Sequence, residues 1–280
     1  CNDVWALSEM STGTYLRFTT DAQEITVEWT MRKACEEHWF AGCHLWHMPD
    51  SGTNAYDTYA FDEKTKAWRH LANNLLHYAE SGKGTIIQPH TTAVGGPTTY
   101  LVYLPLRNAP KDISLTLSPA TAKICGGMQV CADDPAPRFA MPPVLWYGTS
   151  IQQGGVASRA GTAYDAIISR ALEREVINIG FANNGVMELS VGALMVDVKE
   201  AAAIIIDCLP NMNTAQVTNR TSPLVKYLRA HGHKRTPIVL AEGTPTPGDW
   251  LNASINAFWS NEKNAALRAE YESLLAEGED

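Results

Sequence analysis

The hydrophobic pattern of this chain changes period at Pro142–Pro143, and this change limits the folds open to the chain more than any other feature. Before it, segments such as Ile25–Trp29 and Ile113–Leu117 alternate apolar and polar residues, which is typical of strands that bury one face. After it, runs such as Val144–Tyr147 and Ala201–Ile206 are continuously apolar, which is typical of strands buried on both faces of a parallel sheet. The sequence therefore predicts two domains of different class.

The first part, residues 1–130, is predicted to be an antiparallel β-sandwich. Tyr15–Phe18 and Tyr100–Leu104 add further alternating strands, and the turns between strands contain Gly, Pro, Asp and Asn. Lys66–Glu80 is compatible with a helix or with a decorated loop. Residues 131–143 contain proline pairs and are predicted to be a linker, because proline resists both helices and central strands.

The second part, residues 144–280, alternates predicted strands with predicted helices. Tyr164–Leu172 places its apolar residues on one helical face, and Leu267–Leu275 does the same near the end of the chain. Ser222–Pro223 is predicted to open another helix, since serine caps and proline suits the first helical position. This alternation predicts a parallel sheet covered by helices on both faces.

Composition and charge limit the partners of the chain. The net charge of −8 argues against nucleic acid, because phosphate binding requires a basic face. No apolar run approaches the roughly 20 residues needed to span a bilayer. Cys1 is a candidate lipid-attachment site or simply the residue at which the numbering starts. Together with the glycosylation sequons at Asn219 and Asn252, Cys1 favours an exported protein that is extracellular, periplasmic or lipid-anchored.

The cysteines and histidines do not predict a metal site. Cys35, His38, Cys43, His44 and His47 lie close together in sequence, but their spacing does not match the usual zinc-ligand patterns. We expect them to be surface or strand residues and predict no metal. Elsewhere, Cys125 and Cys131 flank a pair of glycines and are spaced to close a small ring.

Three predicted strands of the second part end in polar residues. These ends are Gly148–Ser150, Asn178–Gly185 and Asp207–Met212. In an open parallel sheet, ligands bind where the carboxyl ends of the strands meet the loops. A serine at a strand-to-helix turn exposes its hydroxyl beside backbone N–H groups, an arrangement suited to attack on an ester carbonyl.

These motifs resemble the SGNH hydrolases, the GDSL-like lipases and acylhydrolases. Tyr147–Gly155 is similar to the catalytic segment of the subgroup that carries an N-terminal β-sandwich. Ser51–Tyr56 resembles the Gly-x-Asp-Leu-Tyr signature of that domain, although Asn54 and Ala55 depart from its Asp-Leu. The resemblance implies an α/β fold, with a jelly-roll-like antiparallel sandwich followed by a three-layer α/β/α flavodoxin-like domain.

Carried over residue by residue, the resemblance implies that Ser150 is the nucleophile. The side-chain amide of Asn211 and the backbone N–H groups of Ser150 and Asn183 would form the oxyanion hole. The family pattern has glycine at position 183, and asparagine tolerates the left-handed backbone that such a glycine adopts.

Four further residues are expected to contact substrate: Thr149, Gln153, Arg159 and Glu242. For Arg159 the alternative is a residue that anchors a loop. For Glu242 the alternative is a solvated loop carboxylate.

The family's fifth strand, Asp-x-x-His block and final helix would follow Gly278 and do not occur in this sequence. Without that base we expect the chain as written to be nearly inactive. Three explanations stand: an incomplete sequence, a second polypeptide that supplies the rest, or a degenerate esterase kept as a subunit. Without the fifth strand, Ile238–Ala241 is predicted to be an exposed apolar edge that a protein partner can cover.

The resemblance implies hydrolysis of small acyl esters, acetyl esters above all and on carbohydrate, through an acyl-serine intermediate without a cofactor. The alternative is a catalytically inactive esterase-like subunit with a binding or assembly role in a larger complex.

Overall fold

The computed structural model describes residues 2–31, 45–75, 81–87, 97–126, 141–245, 248, 250–252, 254 and 261–279. The chain divides into two compact units. The first contains Cys1–Arg138 with Gly154–Glu173, and the second contains Phe139–Gln153 with Arg174–Asp280. The boundaries drawn from the sequence, 1–130, 131–143 and 144–280, stay predictions, and residues 131–140 of the predicted linker lie outside the described residues.

The first unit is built from eight described strands in two antiparallel sheets. The strands are β1 (Tyr15–Thr20), β2 (Glu24–Met31), β3 (Ala55–Asp62), β4 (Ala67–Leu75), β5 (Ser81–Ile87), β6 (Thr98–Tyr103), β7 (Pro110–Ser118) and β8 (Ile124–Gly126). The helices are α1 (Asn2–Ser8), α2 (Asp50–Thr53) and α3 (Tyr164–Leu172). One sheet has the order β4-β3-β6-β1-β8 and the other β5-β2-β7. The predicted antiparallel domain is therefore confirmed.

The core of this unit lies between the two sheets. Along β2, Ile25, Val27 and Trp29 are buried, and the residues between them face outward, as the alternation predicts. They pack in one cluster with Phe18 of β1 and Tyr56 of β3. The ring of Trp29 meets that of Tyr56 edge-on, with centroids 6.2 Å apart. This edge-on geometry is one that aromatic pairs favour.

Most of Lys66–Glu80, for which the sequence was compatible with a helix or a loop, forms strand β4. It pairs with β3 from Asp62↔Ala67 to Ala55↔Leu75, and residues 76–80 lie outside the described residues. The hairpin turn is held by Asp62, whose carboxylate accepts from the backbone N–H of Lys64 and Thr65. A turn of this kind fixes the register of the strand after it, whatever the strand propensity of that segment.

Asp57 of β3 anchors the segment Gly154–Glu173 within the first unit. Its side chain is fully buried. Oδ2 accepts from the backbone N–H of Gly161 at 2.8 Å. Oδ1 lies 3.0 Å from His70 Nε2 and 3.4 Å from Arg159 Nε. Removing this buried carboxylate leaves the buried N–H of Gly161 without an acceptor and takes away the charge beside Arg159.

Arg170 of α3 reinforces the same anchor. It donates to the carbonyl oxygen of Gly161 at 2.7 Å and to the hydroxyl of Tyr103 at 3.0 Å. Its guanidinium lies 4.0 Å from the ring centroid of Tyr59, a cation–π geometry. The anchor therefore combines charge, hydrogen bonds and ring contacts.

The second unit is a parallel sheet with three described helices. The strands are β9 (Val144–Gly148), β10 (Val176–Gly180), β11 (Ala203–Asp207) and β12 (Ile238–Leu240), and the helices are α4 (Leu189–Met195), α5 (Thr214–His231) and α6 (Glu262–Ala276). The strand order β10-β9-β11-β12 is the flavodoxin-like order predicted from the sequence. None of the described helices has the length and apolar character needed to cross a bilayer.

The prediction that Ser222–Pro223 opens a helix is wrong. Helix α5 begins at Thr214, and Pro223 lies inside it. Asn213 caps the helix: its side chain accepts from Gln216 N–H, and the Gln216 side chain accepts from Asn213 N–H. This capping box and the buried apolar face of the helix outweigh the one hydrogen bond that proline cannot make.

We expect Asp57→Ala to destabilise the protein by about 3 kcal/mol, because it leaves the buried N–H of Gly161 without an acceptor and removes the carboxylate beside Arg159. Asp112→Ala is the matched control on β7 of the same unit, since its ion pair with Lys111 is exposed and its loss should change stability little. Urea denaturation followed by tryptophan fluorescence measures both. Equal effects of the two substitutions would contradict the anchoring role of Asp57.

Candidate active site

Three strand ends of the second unit lie side by side. Gly148, the last residue of β9, pairs with Gly180 of β10 on one side and with Asp207 of β11 on the other. Adjacent strands lie about 4.8 Å apart, so the loops that follow these residues start at one edge of the sheet. This register brings together the three polar segments predicted from the sequence.

Ser150 lies in the turn directly after β9. The turn is closed by the backbone N–H of Gln153, which donates to the carbonyl oxygen of Thr149 at 3.0 Å. Thr149 is buried, and its Oγ1 accepts from Ile151 N–H at 3.3 Å. Ser150 is half-buried. Within the described part of the chain, its hydroxyl and its backbone N–H have no hydrogen-bond partner.

The loop after β10 contains three residues in the left-handed region: Asn183 (φ 55°), Gly185 (φ 68°) and Met187 (φ 58°). A Cβ atom at Gly185 would overlap the carbonyl oxygen of Gly148. The loop therefore lies directly on the end of β9. The exposed Asn183 adopts the conformation that the family's glycine would allow, as expected for asparagine.

Two hydrogen bonds tie this loop to the strand end and to the serine turn. Phe181 N–H donates to the carbonyl oxygen of Gly148 at 3.1 Å. Ala182 N–H donates to Gln153 Oε1 at 2.9 Å. Among the described residues none accepts a hydrogen bond from the backbone N–H of Asn183. Unpaired N–H groups at the two neighbouring loops, those of Ser150 and Asn183, are suited to bind a developing oxyanion.

Asn211 completes the group at the end of β11. It ends a short 3-10 turn, Leu209–Asn211. Its Nδ2 donates to the carbonyl oxygen of Asn184 at 2.5 Å. A side-chain amide has two N–H donors, so this bond orients the group and leaves the second donor for a ligand.

Glu242 and Arg159, two of the predicted substrate contacts, make their own hydrogen bonds and ion pairs with other residues. Glu242 follows β12 and accepts two hydrogen bonds from Arg268 of α6, at 2.5 and 2.8 Å. The Arg268 hydrogen bond holds the pKa of Glu242 below its usual range. Arg159 belongs to the first unit, where Tyr59 and Asp57 raise its pKa. The structure thus brings together Thr149, Ser150, Gln153, Asn183 and Asn211, and the predicted roles of all seven residues stay predictions.

The described histidines of the second unit lie away from these strand ends. His231 ends α5 and stacks on Tyr227, with ring centroids 4.1 Å apart. His233 is fully buried, with Nε2 3.0 Å from the carbonyl oxygen of Met195. Because α5 leads into the start of β12, both lie toward the opposite edge of the sheet. Neither is placed to take a proton from Ser150.

Of the cluster considered for zinc, Cys35, His38, Cys43 and His44 lie outside the described residues. Over the described ranges, no three His, Cys, Asp or Glu side chains come together as a metal site. Cys125 is disulfide-bonded, while its predicted partner Cys131 also lies outside those ranges.

Sequence reasoning missed Gly180, Lys263 and Glu188. A Cβ atom at Gly180 would overlap the backbone nitrogen of Gln153, so the serine turn packs directly on β10. Lys263 of α6 is buried and donates to the carbonyl oxygen of Leu209 at 3.2 Å, beside Asn211. Burial lowers its pKa. Gly180 ends a predicted strand, and this position was a signal that sequence reasoning could have used. The contacts of Lys263 with Leu209 and of Glu188 with Tyr147 join residues far apart in sequence, so they leave no local pattern.

Two protein-family models match the sequence. Residues 141–280 match the GDSL-like lipase/acylhydrolase family, and residues 1–122 match the N-terminus of SGNH hydrolase-type esterases. The chain belongs to the GDSL-like lipase/acylhydrolase family. No curated protein sequence matches it significantly.

Solved structures resemble the whole chain. A protein described as a GDSL-like lipase from Bacteroides ovatus is 25% identical, with a TM-score of 0.84 over 99% of this chain and 74% of that one. The salicylyl-acyltransferase SsfX3 of a tetracycline biosynthetic pathway is 16% identical, with a TM-score of 0.72 over 100% and 72%.

A third similar structure is an active-site mutant of a family two carbohydrate esterase from Clostridium thermocellum. It is 9% identical, with a TM-score of 0.58 over 96% of this chain and 80% of that one. A further structure of a family two carbohydrate esterase from the same organism carries cellohexaose. At these identities the last three likenesses show the fold.

Gly180→Ala is expected to destabilise the protein by about 2 kcal/mol, because the added methyl group forces the serine turn away from β10. Gly248→Ala is the matched control, since no atom of the described residues lies within 4 Å of its Cβ position. Thermal unfolding measures both variants. A Gly180→Ala protein as stable as the control would show that the turn does not depend on this close approach.

Cys208 is expected to resist alkylation in the folded protein. It is a free, fully buried thiol, and burial raises its pKa well above the usual value. Little thiolate, the reactive form, is therefore present at pH 8. The protein is treated with iodoacetamide before and after denaturation, and the peptide that contains Cys208 is analysed by mass spectrometry. We expect labelling of Cys208 only after denaturation. Equal labelling in both samples would contradict the burial of this side chain.

Proposed function

We propose that the chain is a serine esterase that hydrolyses small acyl esters through an acyl intermediate on Ser150. The observation that carries this proposal is the pair of unpaired backbone N–H groups, those of Ser150 and Asn183, at two loops that meet at one sheet edge. The oriented amide of Asn211 adds a third donor from the neighbouring strand end. Family membership supports the same reaction class.

In this proposal Ser150 Oγ attacks the ester carbonyl carbon and loses its proton to a general base. The negative charge that develops on the carbonyl oxygen is stabilised by the three N–H donors. Collapse of the tetrahedral intermediate releases the alcohol, which receives the proton, and leaves the acyl group on Ser150. Water then attacks the acyl-serine, releasing the carboxylic acid and restoring the hydroxyl. The described site holds no histidine for the base.

We propose an acetyl ester on a carbohydrate as the substrate. Support comes from likeness in fold to the carbohydrate esterase of Clostridium thermocellum, and the acyltransferase SsfX3 supports acyl transfer on this scaffold. The disulfide-bonded Cys125 supports our further proposal that the protein is exported, since disulfides persist in oxidising compartments.

The second candidate function is an esterase-like subunit that binds a protein partner. The observation that favours it is strand β12. Among the described strands it pairs with β11 alone, and Val239 within it is 49% exposed. An apolar edge strand of this kind is a template for pairing with another chain.

In the natural full-length protein, we expect Ser150→Ala to abolish hydrolysis of p-nitrophenyl acetate and adduct formation with a fluorophosphonate. Asn211→Ala should lower kcat by about 10²–10³-fold, the usual effect of removing one oxyanion donor. Ser190→Ala and Asn219→Ala are the matched controls, because both residues are exposed in the same unit.

Release of acetate from an acetylated cello-oligosaccharide tests the proposed substrate, and p-nitrophenyl octanoate tests the acyl size. If wild type and Ser150→Ala hydrolyse the acetate ester equally slowly and neither forms an adduct, the esterase proposal fails. The binding subunit then becomes the better explanation.

A further inference from the structure

Glu188 connects the nucleophile strand to the loop that follows β10. Its Oε2 accepts a hydrogen bond from the hydroxyl of Tyr147, the residue before Gly148 at the end of β9. The same oxygen accepts from the backbone N–H of Val186 at 2.8 Å. In return, the backbone N–H of Glu188 donates to the Tyr147 hydroxyl oxygen at 3.2 Å. One half-buried carboxylate therefore ties loop, strand and the start of α4 together.

The loop that Glu188 ties down has a backbone that needs support. Asn183 and Met187 are not glycines, yet both are left-handed, with Gly185 between them also at positive φ. Left-handed residues other than glycine persist only where the surrounding structure holds them. The loop lies against the Gly148 carbonyl, so any relaxation of its backbone moves the N–H of Asn183 relative to Ser150.

The contacts that hold this loop divide into two groups. Its first half is held by the side chains of Gln153 and Asn211, which bond to Ala182 N–H and to the Asn184 carbonyl oxygen. In its second half, Arg220 donates to the carbonyl oxygen of Val186 at 2.9 Å. Among these side chains, Glu188 is the one that joins the second half of the loop to strand β9.

The Tyr147 hydroxyl is suited to its part in this arrangement. The side chain is fully buried, and burial raises its pKa, so the hydroxyl stays protonated and donates. The carboxylate of Glu188 can accept from two donors at once, which an alanine cannot do at all. A glutamine retains one acceptor oxygen in nearly the same shape.

We propose that Glu188 is a positioning residue for the oxyanion hole. Through Tyr147 and Val186, it fixes the loop that presents the backbone N–H of Asn183 to the carbonyl oxygen of the substrate. The inference rests on the proposed function, in which Ser150 is the nucleophile. It assigns to Glu188 no contact with the substrate.

The test compares Glu188→Ala, Glu188→Gln and Tyr147→Phe with the wild type, all in the natural full-length protein, using p-nitrophenyl acetate. For Glu188→Ala we expect kcat to fall by about 10²-fold, the order of loss that a misplaced catalytic group causes, with KM unchanged. Glu188→Gln should recover part of this loss. Glu188→Ala combined with Tyr147→Phe should lose less activity than the product of the two single losses, because the two substitutions remove the same contact between carboxylate and hydroxyl.

A second readout is independent of activity. Amide hydrogen exchange of peptides spanning 181–188 should be faster in Glu188→Ala, with little change elsewhere. Glu200→Ala and Glu200→Gln are the matched controls, since Glu200 is an exposed glutamate of the same unit. A general loss of stability would instead raise exchange in all peptides.

The outcomes separate the two proposals. If Ser150→Ala is inactive while Glu188→Ala keeps wild-type kcat and exchange, the positioning role is overturned and the esterase stands. If Ser150→Ala keeps the activity of the wild type, the proposed function fails. Unchanged exchange in Glu188→Ala would then overturn the positioning role as well.

Discussion

The candidate site depends on the register of three parallel strands. Gly148 lies between Gly180 and Asp207, so the residues that follow each strand emerge at the same edge. A one-residue shift of β10 or β11 would turn each side chain of that strand to the other face of the sheet. Ser150 and Asn211 lie within four residues of these strand ends. Their proximity is therefore a consequence of backbone hydrogen bonding along the strands, and short loops preserve it.

Close backbone packing fixes the detailed geometry of the three loops that the strand register brings together. The loop after β10 lies on the Gly148 carbonyl at Gly185, which only a residue without a side chain permits. Its backbone then turns through left-handed residues, and no residue in the described ranges accepts a hydrogen bond from the N–H of Asn183. Unpaired backbone donors are unfavourable in a folded chain unless water or a ligand satisfies them. Two such donors at one edge of the sheet are what the oxyanion hole that we propose requires.

Much of this arrangement could be predicted from the sequence, and the exceptions share a cause. The four parallel strands are predominantly apolar, and the three polar strand ends lie at or directly after their last residues, so local pattern was sufficient. Strand β4 was missed because its register depends on the Asp62 turn, and the start of α5 because its capping box outweighs Pro223. Glu188 was missed because its partner Tyr147 is 41 residues away in sequence. Contacts at such separations have no period to detect.

Two carboxylates show how such contacts organise the two units separately. In the first unit, Asp57 on a strand accepts from the backbone of Gly161, and in the second, Glu188 accepts from the backbone of Val186 and from a strand side chain. In both cases a charged acceptor fixes backbone that makes few regular hydrogen bonds of its own. Charge-assisted bonds are stronger than neutral ones, and losing the acceptor leaves partly buried donors unsatisfied. Irregular segments can therefore be held as firmly as strands, and irregular segments supply the residues of the candidate site.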